Sequence, residues 1–176
     1  MKMVKRLLIG TLLLVAVLVG IAFLLPNQFN VARSITINAP AEKIYPLIAS
    51  PGQWKNWSVW NRRDSDMKID YAGPQSGVGA KWSWESKSEG SGEMEFTAAE
   101  PNKLLGYRLL FKDFNTTSAG TLTLEPDGAS KKVTWSFAGE AVRNPMMRYM
   151  GLMMDGMVGQ DFEVGLANLK ALAERS

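Results

Sequence analysis

The sequence predicts an α+β protein in which a curved antiparallel sheet of six to seven strands wraps round a long C-terminal helix, preceded by one transmembrane helix. Three observations carry this. An uncharged apolar run from Leu7 to Leu25 follows a basic cluster; a series of short stretches between Val31 and Ala141 alternates apolar with polar residues between turn signals; and after Asn144-Pro145 the apolar spacing changes from two to about 3.6.

The first of these is the N-terminal run. It is broken only by Gly10, Thr11 and Gly20 and stops at Pro26. At about 1.5 Å per residue its length is close to the roughly 30 Å hydrocarbon core of a bilayer. Lys2, Lys5 and Arg6 on its N-terminal side predict that this end stays in the cytoplasm, so the rest of the chain would face outward, in the periplasm of a Gram-negative cell. A cleaved signal peptide is the competing reading. Its apolar core usually spans about 7–15 residues and ends in a small-x-small site, whereas here the run is longer and Asn30-Val31-Ala32 is the nearest candidate. The expected organisation is an anchor over residues 1–26, a linker over 27–30 and one domain over 31–176.

Charge and missing residue types narrow the chemistry. The chain has 20 Lys plus Arg against 17 Asp plus Glu, and the three N-terminal cations account for the whole excess. No run of Lys or Arg longer than two is present to suit a phosphate backbone, so nucleic acid is not expected as a partner. With no His and no Cys, thiolate nucleophiles, Ser-His-Asp relays and His or Cys metal sites are also excluded, and neither a cofactor nor a metal is expected. Without disulfides, stability must come from a packed core.

Element by element, Val31 to Ile37 reads as the first strand. Ala41 to Ala49 carries Ile44, Leu47 and Ile48 at helical spacing, with Pro46 keeping the helix short or bent, and a further turn covers Pro51 to Trp57. Strands then follow at Met67–Ala72, Ala80–Ser86, Glu93–Glu100, Leu104–Phe111, Ser118–Glu125 and Lys132–Ala141. Met146 to Glu174 reads as one long helix or a broken pair. Its apolar face shifts beyond Gly156 and Gly159, which predicts a kink there and a movable Met-rich lid.

Several stretches carry a family resemblance. They are Ile37-Asn38-Ala39-Pro40-Ala41-Glu42-Lys43-Ile44, Trp54-Lys55-Asn56-Trp57-Ser58-Val59-Trp60, Tyr71-Ala72-Gly73-Pro74 with Trp82-Ser83-Trp84, and Gly159-Gln160-Asp161-Phe162-Glu163. Together they resemble the START-like, helix-grip superfamily, and within it the polyketide cyclase and dehydratase-like branch. The resemblance implies a cavity between sheet and helix that takes an apolar or amphipathic ligand. The superfamily's activities are diverse, so the fold alone assigns none.

The residues themselves suggest what lines such a cavity. Trp82 and Trp84 share a strand face, Tyr107 and Trp135 stand on two others, and Met150, Met153, Met154 and Met157 lie on the first half of the terminal helix. These eight are the candidate ligand-binding residues. Met suits an adaptable binding face, although Met and aromatic residues also fill ordinary cores. Candidate acids near the cavity are Glu140, Asp155 and Asp161, while Glu93, Glu95 and Arg108 should face outward. No converging polar set suggests catalysis. The expectation is a membrane-tethered extracytoplasmic module for a hydrophobic or lipid-like small molecule. A cyclase- or dehydratase-type enzyme and an envelope protein-interaction module are the alternatives.

Overall fold

The computed structural model describes residues 2–140 and 145–175. Helix α1 (Lys2–Leu24) is followed by strand β1 (Gln28–Ile37), helices α2 (Ala41–Ala49), α3 (Pro51–Trp54) and α4 (Trp60–Arg63), six further strands, and helix α5 (Pro145–Arg175). The strands are β2 (Lys68–Ala72), β3 (Lys81–Ser86), β4 (Gly90–Glu100), β5 (Leu104–Phe111), β6 (Thr116–Asp127) and β7 (Ser130–Glu140). All pair antiparallel in one sheet of order β1-β7-β6-β5-β4-β3-β2. Six to seven strands and a long terminal helix were expected; seven strands and the helix are present. β1 starts at Gln28, so most of the segment read as a linker is already paired with β7, Gln28 lying opposite Glu140.

Alternation sets the two faces of the sheet. On β4, Met94 and Phe96 are buried between half-buried Glu93 and Glu95, and on β5, Leu105, Tyr107 and Leu109 point inward while Arg108 faces out to Glu95. The register of β4 against β5 shifts between Phe96 and Ala98. Such a bulge increases local twist and bends the strand, which helps the sheet curl around its contents.

Helix α5 crosses the inner face chiefly along β1. Its second half buries Phe162, Leu166, Leu169 and Ala173. Phe162 stacks on Trp135 with centroids 4.0 Å apart and planes 6° from parallel. Gly165 permits this approach, because a Cβ there would stand 2.9 Å from Cζ3 of Trp135.

Of the two forms expected for the terminal segment, one long helix or a broken pair, the first is found: α5 runs unbroken over 31 residues, through Gly156 and Gly159. Gly159 has another use. A Cβ at that position would collide with the guanidinium of Arg33, which lies flat against the helix and donates to Asp155 Oδ1 at 2.8 Å and to Glu163 Oε1 at 2.7 Å. Side chains one turn above and one turn below the glycine thus hold the cation, and a bare backbone lets it in. Arg33 raises its own pKa through these bonds and holds the Asp155 carboxyl below its ordinary value.

Helix α1 is long and apolar enough to cross a membrane by length and composition. Its last turn is bonded to α5. Arg148 donates to the carbonyls of Ala22, Phe23 and Leu25 at 3.4, 3.0 and 3.2 Å and lies over the Phe23 ring, and Tyr149 donates its hydroxyl to Leu18 O at 2.7 Å. A cation on the terminal carbonyls complements the negative end of the helix dipole.

Candidate functional site

Between the sheet, the α3–α4 segment and α5 lies a cavity of about 240 Å3. Its sheet wall comes from Trp82 and Trp84 of β3, Met94 of β4, Tyr107, Leu109 and Phe111 of β5, and Phe137 of β7. Trp54, Ser58, Trp60 and Asn61 close one side, and Met154, Met157, Val158 and Phe162 of α5 form the roof. Met67 and Glu89 complete the lining. The wall is overwhelmingly apolar and aromatic, as in cavities that bury small molecules.

Polar groups around the cavity are mostly paired within the protein. Tyr107 donates its hydroxyl to Ser136 O at 2.8 Å and accepts from Trp135 Nε1 at 2.9 Å. Burial pushes its pKa up, so the phenol stays neutral. Trp54 Nε1 donates to Ile48 O at 2.7 Å, and Trp57 Nε1 to Leu47 O at 3.0 Å. At the edge, Asp161 accepts from Trp60 Nε1 at 2.9 Å and from Arg63, whose guanidinium also lies 3.6 Å from Glu89. Ser58 is different. It is 1% exposed, and its Oγ has no hydrogen-bond partner among the described residues.

Of the eight residues expected to bind ligand, the cavity brings together Trp82, Trp84, Tyr107, Met154 and Met157. Trp135 lies outside the wall, in the core against Phe162. Met150 and Met153 also lie outside it, at 38% and 61% exposure. Steps of about 100° explain this: Met154, Met157 and Val158 share the cavity-facing stripe, Met153 is turned away from it, and Met150 lies one turn further out. Among the acidic candidates, Asp161 reaches the rim, Asp155 is bound to Arg33 away from it, and Glu140 ends β7. Residues the sequence reading left out of the cavity include Glu89, Met94, Leu109 and Phe162. Met94 and Leu109 were legible in principle, since each stands on the inward face of a strand whose alternation is clear. Ser58 carried no such signal. Among the described residues, no group of three or more acidic side chains could hold a metal ion.

A curved sheet gripping a helix over an apolar cavity defines a helix-grip protein built around a hydrophobic site. Residues 28–174 match the family model described as polyketide cyclase / dehydrase and lipid transport, and the chain belongs to that family. No curated protein matches the chain. Solved structures share the fold at low identity. A protein from Mesorhizobium loti is similar at 24% identity and a TM-score of 0.58, with 84% of this chain and 98% of that one covered. A Thermobifida fusca protein is similar at 19% identity and a TM-score of 0.62, with 83% and 93% covered. The di-domain ARO/CYC protein StfQ from the steffimycin biosynthetic pathway is similar at 8% identity and a TM-score of 0.65, with 84% of this chain and 51% of StfQ covered.

Proposed function

We propose that this protein is a membrane-tethered, extracytoplasmic carrier or receptor for a hydrophobic or lipid-like small molecule. The observation that carries the reading is the cavity itself, enclosed by aromatic side chains and roofed by Met154 and Met157. Met157 is 57% exposed and still contributes to the lining, so it stands at an opening to solvent. The Arg148 and Tyr149 bonds to α1 support membrane delivery: a span ending near Leu24 would keep the Met-rich half of α5 beside the bilayer surface. An apolar molecule leaving the lipid would then travel only a few turns of helix to reach the cavity. The basic residues before α1 support a cytoplasmic N-terminus and an outward-facing domain.

The cyclase-type alternative needs a reactive group in the wall. The carboxylate there is Glu89, which lies beside the Arg63 cation, and the hydroxyl of Tyr107, elsewhere in the wall, is committed to Ser136. That arrangement favours holding a molecule over transforming it.

The test is organic extraction and mass spectrometry on the full chain, purified in amphipol so that no free micelles compete for cargo. The expected result is one apolar molecule per chain, reduced severalfold by Met154→Gln with Met157→Gln and unchanged by Met153→Gln. A folded, empty chain that takes up no apolar probe would overturn the carrier reading.

A further inference from the structure

We infer that the ligand bears one neutral oxygen function, a hydroxyl or carbonyl, which hydrogen-bonds to Ser58 Oγ while the rest of the molecule is apolar. The inference rests on the hydrophobic-ligand reading and narrows it. Ser58 follows Trp57 between α3 and α4, and its backbone N–H donates to Trp54 O at 2.8 Å. Asn168 of α5 donates to Trp57 O at 3.0 Å and fixes this segment against the helix. The side chain has no comparable role. It does not cap α4, its Oγ is buried without a partner among the described residues, and the residue lines the cavity.

A buried hydroxyl left unpaired is unfavourable, and the large majority of such groups in folded proteins have a partner. No described residue meets Ser58 Oγ and Ser58 lines the cavity, so the partner assigned to it is what fills that cavity, solvent in the resting protein and a ligand group when one is bound, reached by a turn about χ1. The Trp54 and Trp60 indoles and the Tyr107 phenol of the same wall already have their partners in the fold. The hydroxyl is therefore a specificity element that can donate or accept one bond.

Charge sets the remaining limit. The ionisable group in the wall that carries charge is the acidic Glu89, and the nearby cation of Arg63 is shared between Glu89 and Asp161. A carboxylate or phosphate on the ligand would enter a low-dielectric space beside like charge, with no Lys or Arg among the described lining residues to meet it, which disfavours a charged head group at this depth. A neutral alcohol, ketone or ester avoids that cost.

The test compares 2-naphthol with 2-methylnaphthalene, two probes of nearly equal shape that differ by a hydroxyl in place of a methyl. Both are offered to the full chain and to Ser58→Ala by equilibrium dialysis in amphipol, with protein-free amphipol as the blank. The wild-type protein is expected to prefer 2-naphthol, and Ser58→Ala to weaken 2-naphthol binding by about three- to tenfold while leaving 2-methylnaphthalene unchanged. The thermal midpoint of ligand-free Ser58→Ala should equal or exceed that of wild type, because no protein hydrogen bond is lost. Equal loss of both probes, or a lowered ligand-free midpoint, overturns the assignment to Ser58 and leaves the hydrophobic site standing. Failure of both probes to bind wild type overturns the carrier reading and this inference with it.

Discussion

Between Phe162 and Ala173, α5 turns Phe162, Leu166, Leu169 and Ala173 into the core, none more than 1% exposed, whereas between Met146 and Met157 it leaves Met146, Met153 and Met157 at 66%, 61% and 57% exposure. Both halves are rich in apolar side chains. The difference lies beneath them: both halves meet β1, but the second packs on Trp135 and the core, while the first passes over the cavity opening and reaches α1. Apolar content therefore reports core in one half, and in the other a surface whose neighbours are a cavity and an apolar helix. Arg33, bound to Asp155 and Glu163 on either side of Gly159, marks the boundary.

The comparison breaks most sharply at paired truncations. Leu166→Ala removes a fully buried side chain and should cost about 2–5 kcal/mol in chemical denaturation, whereas Met153→Ala should cost less than about 0.5 kcal/mol. Similar losses for both would mean that the Met half is core. Glycines sharpen the contrast with opposite signs. At Gly165 an added methyl meets the stacked ring of Trp135, so Gly165→Ala should destabilise by about 1–3 kcal/mol despite its better helix propensity. Gly156 has nothing within 4 Å of the added atom, so Gly156→Ala should stabilise by roughly 0.5–1 kcal/mol.

The smallest expected effect is a pH dependence confined to the first half. The folded-state pKa of Asp155 is depressed, chiefly by its hydrogen bond from Arg33. The bond therefore adds stability above the ordinary carboxylate value near about pH 4 and loses it as the pH falls through the folded value. Corrected for intrinsic rates, amide exchange over residues 150–157 should quicken at about pH 3 relative to pH 6, with no change over 162–173, and Asp155→Asn should reproduce the effect at about pH 6. If Asp155→Asn leaves residues 150–157 as protected as before, the ion pair does not restrain that half.

The sheet was legible because period-two alternation and Gly-Pro punctuation are local signals that the fold does not override: Leu104–Phe111 was read at the boundaries β5 adopts. Helix α5 was read correctly in extent, and of the two forms expected, one long helix or a broken pair, it takes the first. Gly156 and Gly159 look like a break when only the helix is considered, but Gly159 answers to Arg33, 126 positions earlier in the chain, and nothing local announces that contact. The cavity divides the same way. Trp82, Trp84 and Tyr107 could be placed from strand parity, while excluding Trp135 required knowing that Phe162 stacks over it. Ser58 was unreadable, since a serine's significance here depends on a hydrogen bond that none of the described residues makes.

The tryptophans have an optical consequence. Trp54 lies 4.6, 5.3 and 5.5 Å from Trp57, Trp82 and Trp135, and Trp60 lies 5.6 Å from Trp135, measured between ring centroids. At such separations electronic excitation migrates among the indoles before emission, so light absorbed by any of these five is reported by the ensemble. Because Trp54, Trp60 and Trp82 also face the cavity, the intrinsic fluorescence of this chain is in effect the fluorescence of that cavity's wall, and a change in what fills the cavity can be followed in the emission spectrum with no label attached.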